Sequence, residues 1–510
     1  MHANVRKIGA REAETPPTDM SASSATDLEA LGEAVGALDT IDPARVTVTD
    51  IAYDARAVVP GALFACVPGR RADGHDFAPE AVAAGAAALL VERPLPLPVP
   101  QLLVADARGA MALAADAFFG RPTRELEVAG VTGTNGKTTT AFLLYSILAA
   151  AGRRPGLLGT VEMRIGGERR PVVRTTPESV DLQRTFREML DAGDRSCAME
   201  ASSHGSELKR LVGTRFGALA FTNLSQDHLD LHGTMDAYFD AKRRLFTDPD
   251  VDGNLAPAAV NVGDPYGRRL AEEVRGLGGR LVTFGLSADA DVRPDDIELT
   301  PASTAFRAAG LELRPRLRGR FNVENVLAAV AAARLLGIED EAIVRGVEHV
   351  AGVPGRFESV DEGQPFAVIV DYAHTPEALE NVLAEARRLA GRRVLCVFGC
   401  GGDRDRAKRP LMGEVVSRLA DRAIVTSDNP RSEEPLAVIE EILGGMGGDY
   451  DVEPDRAAAI ARAIEEAGEG DVVVIAGKGH EQGQEFADRT IPFDDREVAR
   501  DALRRLGAAA

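Results

Sequence analysis

The most constraining feature is a glycine-rich loop between two apolar stretches. Leu126-Glu127-Val128-Ala129-Gly130-Val131 reads as a strand. Gly133-Thr134-Asn135-Gly136-Lys137-Thr138-Thr139 follows it, and Thr138–Ala151 reads as an apolar helix ending near Gly152. Strand, loop and helix in this order build a phosphate-binding turn, because backbone N–H groups in the loop and at the helix start converge on an anion. Such a turn belongs to a parallel α/β sheet, with ligands at the carboxyl ends of the strands. In it, Lys137 reaches the β- and γ-phosphates of a nucleotide and the Thr138 hydroxyl ligates Mg²⁺. The spacing departs from the strict pattern of Gly, four residues, Gly-Lys. Val131 takes the first position, with Gly130 and Gly133 on either side.

A chain of 510 residues predicts about three domains. Residues 1–26, rich in Pro, Ser, Thr, Ala and charge, read as a disordered tail. A small α/β unit is expected over 27–107, with strands at Ala62–Val67, Ala88–Val91 and Leu102–Val104. A central unit over 108–353 adds strands at Cys197–Ala201, Ala218–Thr222, Ala258–Val262 and Leu281–Phe284, hairpin strands within 302–318, and a helix at Asn322–Leu336. A third unit over 354–510 has strands at Ala367–Val370, Val394–Phe398, Ala423–Thr426 and Val472–Ala476. Short apolar runs alternating with helical stretches predict parallel, doubly wound sheets.

The net charge of −20 argues against a nucleic-acid partner, which calls for a basic face, and against an anionic membrane surface. No apolar run reaches the length of a membrane span, so no membrane insertion is expected. Cys66, Cys197, Cys396 and Cys400 form no CxxC pair and read as reduced, buried thiols of a cytoplasmic protein. Lysine is rare, at six residues, in a chain whose cations are mostly arginine. Where a lysine stands, a compact ammonium or a modifiable amine is wanted.

Polar clusters follow the predicted strands. Met199-Glu200-Ala201-Ser202-Ser203-His204 puts Glu200 at a strand end, placed to hold Mg²⁺ beside the phosphate loop. Phe221-Thr222-Asn223-Leu224-Ser225-Gln226-Asp227-His228 adds acidic and imidazole groups suited to metal ligation, or to supporting it. In the third unit, Asp371-Tyr372-Ala373-His374-Thr375-Pro376, Gly399 to Arg406, Ser427-Asp428-Asn429-Pro430-Arg431 and Gly477-Lys478-Gly479-His480-Glu481 each follow an apolar strand. Carboxylates there suit a ribose or an amine, and arginines suit carboxylates in bidentate fashion.

With these motifs the chain after about residue 27 resembles the Mur ligases, three-domain ATP-dependent amide ligases of peptidoglycan precursor synthesis. The resemblance implies a central P-loop sheet flanked by an N-terminal uridine-nucleotide-binding α/β domain and a C-terminal Rossmann-like α/β domain. It implies that Gly133, Thr134, Asn135, Gly136, Lys137, Thr138, Thr139, Asn322, Arg356 and Asp371 bind ATP. It assigns Asp54, Arg56, Thr175, Thr176, Ser202, Arg210 and Lys242 to a UDP-sugar-peptide. Thr138, Glu200, His228 and Lys242 would serve Mg²⁺, with Lys242 carbamylated to N6-carboxylysine. Lys137, Glu200, His228 and Lys242 would be catalytic.

Asp428-Asn429-Pro430-Arg431 resembles the signature of members that add meso-diaminopimelate to UDP-MurNAc-L-Ala-D-Glu. Arg404, Asp428, Asn429, Pro430, Arg431, Gly477 and Glu481 would then form the acceptor site, with guanidiniums on the distal carboxylate that lysine lacks. Ala55, Arg174 and Leu208 depart from the family pattern at nucleotide-sugar positions. A monomer is expected. Two alternatives remain at this level: another Mur- or folylpolyglutamate-type ligase with a different acceptor, and a P-loop NTPase without a ligase step.

Overall fold

The computed structural model describes residues 25–69, 72–299 and 304–509. The tail expected over 1–26 lies outside the described residues except for its last two, and Thr26 already pairs with Val48. The chain divides into two compact units, one ending at Ala107 and one starting at Arg108.

The first unit is built on a five-stranded sheet in the order Asp39–Ile41, Gln101–Leu103, Ala88–Val91, Ala62–Ala65, Asp50–Ala52. All neighbours are parallel except the first pair. Ala62–Ala65 and Ala88–Val91 are buried at every residue, so they read as unbroken apolar runs rather than alternating ones.

The second unit carries two larger sheets. The eight-stranded sheet runs Glu168–Arg170, Met163–Ile165, Pro155–Leu158, Ser196–Glu200, Glu127–Thr132, Phe216–Phe221, Ala258–Asn261, Leu281–Phe284. From Pro155–Leu158 onward its pairings are parallel. Its first two strands are antiparallel, an edge that the apolar runs do not predict. Glu168–Arg170 is charged and exposed throughout and joins the sheet only through its neighbour. Apolar cores cover both faces, and the helix Lys137–Ala150 is buried on nearly all sides. A three-stranded antiparallel sheet, Pro294–Leu299, Thr304–Ala308 and Leu311–Leu313, covers much of the expected hairpin region; residues 302 and 303 lie outside the described residues.

The six-stranded sheet runs Glu358–Ser359, Ala367–Asp371, Val472–Ala476, Val394–Phe398, Arg422–Val425, Tyr450–Val452, and is parallel after its first pair. Register aligns the carboxyl ends in both sheets. Glu200 stands opposite Val131 and Phe221 opposite Thr132. Asp371 stands opposite Ala476, and Phe398 opposite Val425. Each sheet therefore presents its loops along one edge. All four cysteines are free and buried. No helix among the described residues is long and apolar enough to cross a membrane.

Candidate active site

The phosphate loop is held from the neighbouring strand. Gly133 has φ +146° and Gly136 φ +85°; a Cβ on the first would lie 1.9 Å from Thr222 Oγ1, and on the second 2.3 Å from Asn325 Oδ1. Only glycine fits such positions. Thr222 Oγ1 donates to the Asn135 carbonyl (2.6 Å), and the Asn135 N–H donates to Asn223 Oδ1 (2.8 Å). Lys137 Nζ curls over its own loop, donating to the carbonyls of Gly133 (3.0 Å) and Thr134 (2.7 Å). Burial lowers its pKa, opposed by Glu200 and Asp227.

Glu200, at the end of the adjacent strand, is 1% exposed. It accepts from the Thr160 N–H (2.7 Å) and Thr160 Oγ1 (3.1 Å), and Thr160 Oγ1 also bonds Thr175 Oγ1 (3.0 Å). Thr176 Oγ1 donates to the Glu200 carbonyl (3.0 Å) and bonds Ser202 Oγ (2.9 Å). Arg210 donates to the Thr176 carbonyl (3.1 Å) and pairs with Glu178 (2.6 Å). Thr175, Thr176, Ser202 and Arg210 therefore form one hydrogen-bonded wall with Glu200. Lys242, from the helix Met235–Thr247, is 1% exposed. Its Nζ donates to the Gly133 carbonyl (2.8 Å) and lies 4.7 Å from the Tyr238 ring centre. Burial, then the Lys137 ammonium, push its pKa well below the usual lysine range.

Asp227 joins the two sheets. Lys408 Nζ lies 3.1 Å from its Oδ1; His228 Nε2 and His374 Nε2 lie 3.3 and 3.4 Å from its Oδ2. Burial would raise the Asp227 carboxyl, but Lys408 and the two histidines hold it well below the usual range. Burial also depresses His228, against the pull of Asp227. Further bridges run from Asn135 Nδ2 to Glu377 (2.9 Å), from Arg356 to Thr138 Oγ1 (2.9 Å) and from Gln226 to Asp405 (3.2 Å). A cavity of about 1050 Å³ lies between the sheet edges and is shared by Thr138, Glu200, His228, Lys242, Asp371 and Arg404.

Comparison with known proteins gives this geometry a family. The Mur ligase middle domain model matches residues 131–333, the Mur ligase glutamate ligase domain 355–479, and the Mur ligase family catalytic domain 47–119. The UDP-N-acetylmuramoyl-L-alanyl-D-glutamate--2,6-diaminopimelate ligase of Solibacter usitatus is 48% identical over 474 residues, covering 91% of this chain and 95% of its own. The chain belongs to the Mur ligase family. The Streptomyces coelicolor ligase of the same name is 44% identical, covering 94% of this chain and 97% of its own. A solved ligase of that name superposes with a TM-score of 0.67 at 31% identity, over 95% of this chain and 99% of that one. The MurF ligase of Thermotoga maritima, solved with ADP, shares the fold at 21% identity and a TM-score of 0.61, over 90% and 98% of the two chains.

In this Mur ligase the C-terminal loops interlock. Arg431, at φ +52°, donates to Glu485 Oε2 (2.7 Å) and the Gly402 carbonyl (2.8 Å). Asp403 accepts from the Ser432 N–H (3.1 Å) and Oγ (2.6 Å), stapling the loop of Arg404 to that of Arg431 and Pro430. Asp428 is buried; burial favours its protonated form, but Lys478 and Arg456 keep its pKa low. Gly477 lies against it, where a Cβ would come 2.4 Å from Asp428 Oδ2. Asn429 Nδ2 donates to Glu481 Oε2 (2.8 Å). Asp371 accepts from the Phe357 (2.6 Å) and Ala373 (2.7 Å) N–H groups, and burial raises its pKa.

Other expected residues stand elsewhere. Asn322 bonds the Arg318 carbonyl (2.6 Å) and Asn325 Nδ2 (2.8 Å); it is Asn325 that lies against Gly136 and lines the cavity. Asp54 and Arg56 belong to the first unit, where they pair with each other (2.6 Å) and Arg56 is exposed. Ala55 is buried beside them, Arg174 lies 3.7 Å from Glu178, and Leu208 ends the helix Ser203–Glu207. Thr160 and Lys408 lie outside the motifs the sequence offers, and Asp227 carries more contacts than its place beside His228 suggests. Lys408 carried one signal, the scarcity of lysine; Thr160 carried only its place after a strand.

Proposed function

We propose that this Mur ligase adds meso-2,6-diaminopimelate to UDP-MurNAc-L-Ala-D-Glu with ATP, releasing ADP and phosphate, in peptidoglycan precursor synthesis. The observation that carries the reading is one cavity lined by both the phosphate loop and Arg404, whose loop Asp403 staples to the Asp428–Arg431 loop through Ser432. Residues 27–107 take the UDP-MurNAc moiety, 108–353 the ATP and 354–510 the amino acid. The reading carries with it a cytoplasmic, monomeric enzyme.

ATP lies over Gly133–Thr139 with its phosphates on the loop N–H groups and the start of the helix Lys137–Ala150. Asn322, Arg356 and Asp371 serve its base, phosphate and ribose, Asn322 by holding Asn325. Asp54 and Arg56 contact the uridine nucleotide; Thr175, Thr176, Ser202 and Arg210 hold the peptide. A D-Glu carboxylate oxygen attacks the γ-phosphorus, the bond to ADP breaks, and Lys137 offsets the charge that develops. The acceptor amine then attacks the acyl carbon, loses a proton and expels phosphate. Arg404 and Arg431 hold the distal carboxylate, and Glu481 holds an ammonium.

The donors fit a hard cation in part. Among the described residues no three His, Cys, Asp or Glu side chains converge on a metal position. Thr138 Oγ1 and the Glu200 carboxylate are oxygen donors on the same cavity, and His228 adds a nitrogen. Mg²⁺ held there would neutralise phosphate charge. Lys242 fits only if carbamylated, since an ammonium offers no lone pair.

ADP release with UDP-MurNAc-L-Ala-D-Glu, ATP and a panel of amines tests the reading. We expect meso-diaminopimelate to exceed L-lysine. Arg431→Ala should lower kcat/KM for diaminopimelate about 100-fold, the loss of roughly 3 kcal/mol from a charge-assisted contact. Equal or better use of L-lysine would overturn the acceptor, and ADP release independent of any amine would overturn the ligase reading.

A further inference from the structure

Lys478 has no solvent-exposed side-chain surface, and none of the chemistry above uses it. It stands two residues past the end of the strand Val472–Ala476, on the loop that carries Gly477 and Glu481. Its Nζ donates to Asn429 Oδ1 (2.8 Å) and to Glu481 Oε2 (3.0 Å). The Glu485 N–H donates to the same Asn429 oxygen (3.0 Å). Two donors therefore fix which way the Asn429 amide faces: oxygen toward Lys478, nitrogen toward Glu481 Oε2 at 2.8 Å. Glu481 Oε2 thus receives two N–H groups. Among the described residues none donates to Oε1, and Glu481 is 30% exposed.

An ammonium without solvent is costly unless its protons are used. Here they point at two side chains of the acceptor loops, and Lys478 is also the first of the cations that hold the neighbouring Asp428 ionised against its burial. A compact point charge on a thin stem suits this place in a way that a planar guanidinium does not.

We infer that Lys478 is a positioning residue for the amine acceptor: its ammonium orients the Asn429 amide and the Glu481 carboxylate so that Glu481 Oε1 meets the ammonium group of the incoming amino acid. The inference rests on the reading of these loops as the acceptor site. Lys478 does not touch the acceptor; it acts through Asn429 and Glu481, and through them on which amino acid is taken.

The test uses the full chain with Lys478→Met, which keeps volume and removes charge, Lys478→Gln, which keeps a donor, and Glu481→Gln. KM is measured separately for the acceptor, ATP and UDP-MurNAc-L-Ala-D-Glu. Lys478→Met should raise acceptor KM about 10-fold or more, with the other two KM values within about twofold. Lys478→Gln should fall between parent and Lys478→Met, and still reports if the latter fails to fold. The double variant Lys478→Met/Glu481→Gln should be no worse than the poorer single variant, because both break one unit. Unchanged acceptor KM, a parallel rise in all three KM values, or additive losses would each overturn the inference. The parent's preference in the amine panel decides the acceptor's identity independently. If the parent prefers another amine, acceptor KM is measured with that amine, and the role of Lys478 stands or falls on that value.

Discussion

Lys242 shows how burial changes what a side chain is. Its amine is enclosed beside a second lysine and driven toward the neutral form, which is the form that adds to carbon dioxide. We therefore expect ¹³C-bicarbonate to produce a carbamate carbon signal in the parent protein that is missing from Lys242→Arg. A parent without the signal, or a variant that retains it, would remove the modified lysine from the site. At this scale, the residues legible in the sequence were those whose backbone or charge does local work. Gly133, Gly136 and Lys137 announce themselves because a tight anion-binding turn tolerates little else. Thr160 could not be read, since its role consists of contacts with Glu200 and Thr175, which only the sheet register brings near.

The C-terminal strands are positioned from beneath by an ion pair. Arg456 and Asp495 are both fully buried and 2.7 Å apart. Arg456 also donates to the carbonyls of Ala476 (2.9 Å) and Ser427 (3.4 Å), the residues just before Gly477 and Asp428. Removing one partner strands a charge in the interior. Arg456→Met should therefore cost about 3–5 kcal/mol in urea unfolding, and adding Asp495→Leu should recover part of it. A loss below about 1 kcal/mol would show that the pair is not the brace. Elements buried on both faces, such as Val394–Phe398 and Val472–Ala476, were legible as unbroken apolar runs. Glu168–Arg170 and Tyr450–Val452 were not, because edge strands carry polar side chains and owe their shape to a partner.

Across the whole molecule, several histidines are held neutral. Burial lowers His204 to about 4 and His480 to about 3, and lowers His228 and His232 as well. In the unfolded chain these rings take protons below pH ~6.5. As pH falls from 7 to 5 the unfolded state gains protons that these native rings refuse, so the four histidines lower stability across that window, opposed by Asp116, whose carboxyl burial raises to about 6. The carboxylates held low, such as Asp227, lose their contribution only at lower pH. The unfolding midpoint should fall from pH 7 to 5, and His204→Gln should flatten the slope; an unchanged slope would contradict this account. The alternation of apolar runs and helices made the layered architecture legible. The hold between the two sheets was not, because its bridges, such as Asp227 with Lys408 and His374 or Asn135 with Glu377, join residues far apart in sequence.

That hold has a consequence for ionic strength. Counter-ions screen exposed charges over about 10 Å at 0.1 M salt, and many arginine–carboxylate pairs among the described residues, such as Arg418–Glu380 and Arg307–Glu312, lie within their reach. Asp227 and Lys408, each with a side chain only 6% exposed, do not. In a chain of net charge −20, salt relaxes the repulsion among surface carboxylates while leaving this pair intact. The phosphate loop and the acceptor loops should stay in register across salt concentrations at which the outer ion pairs have let go.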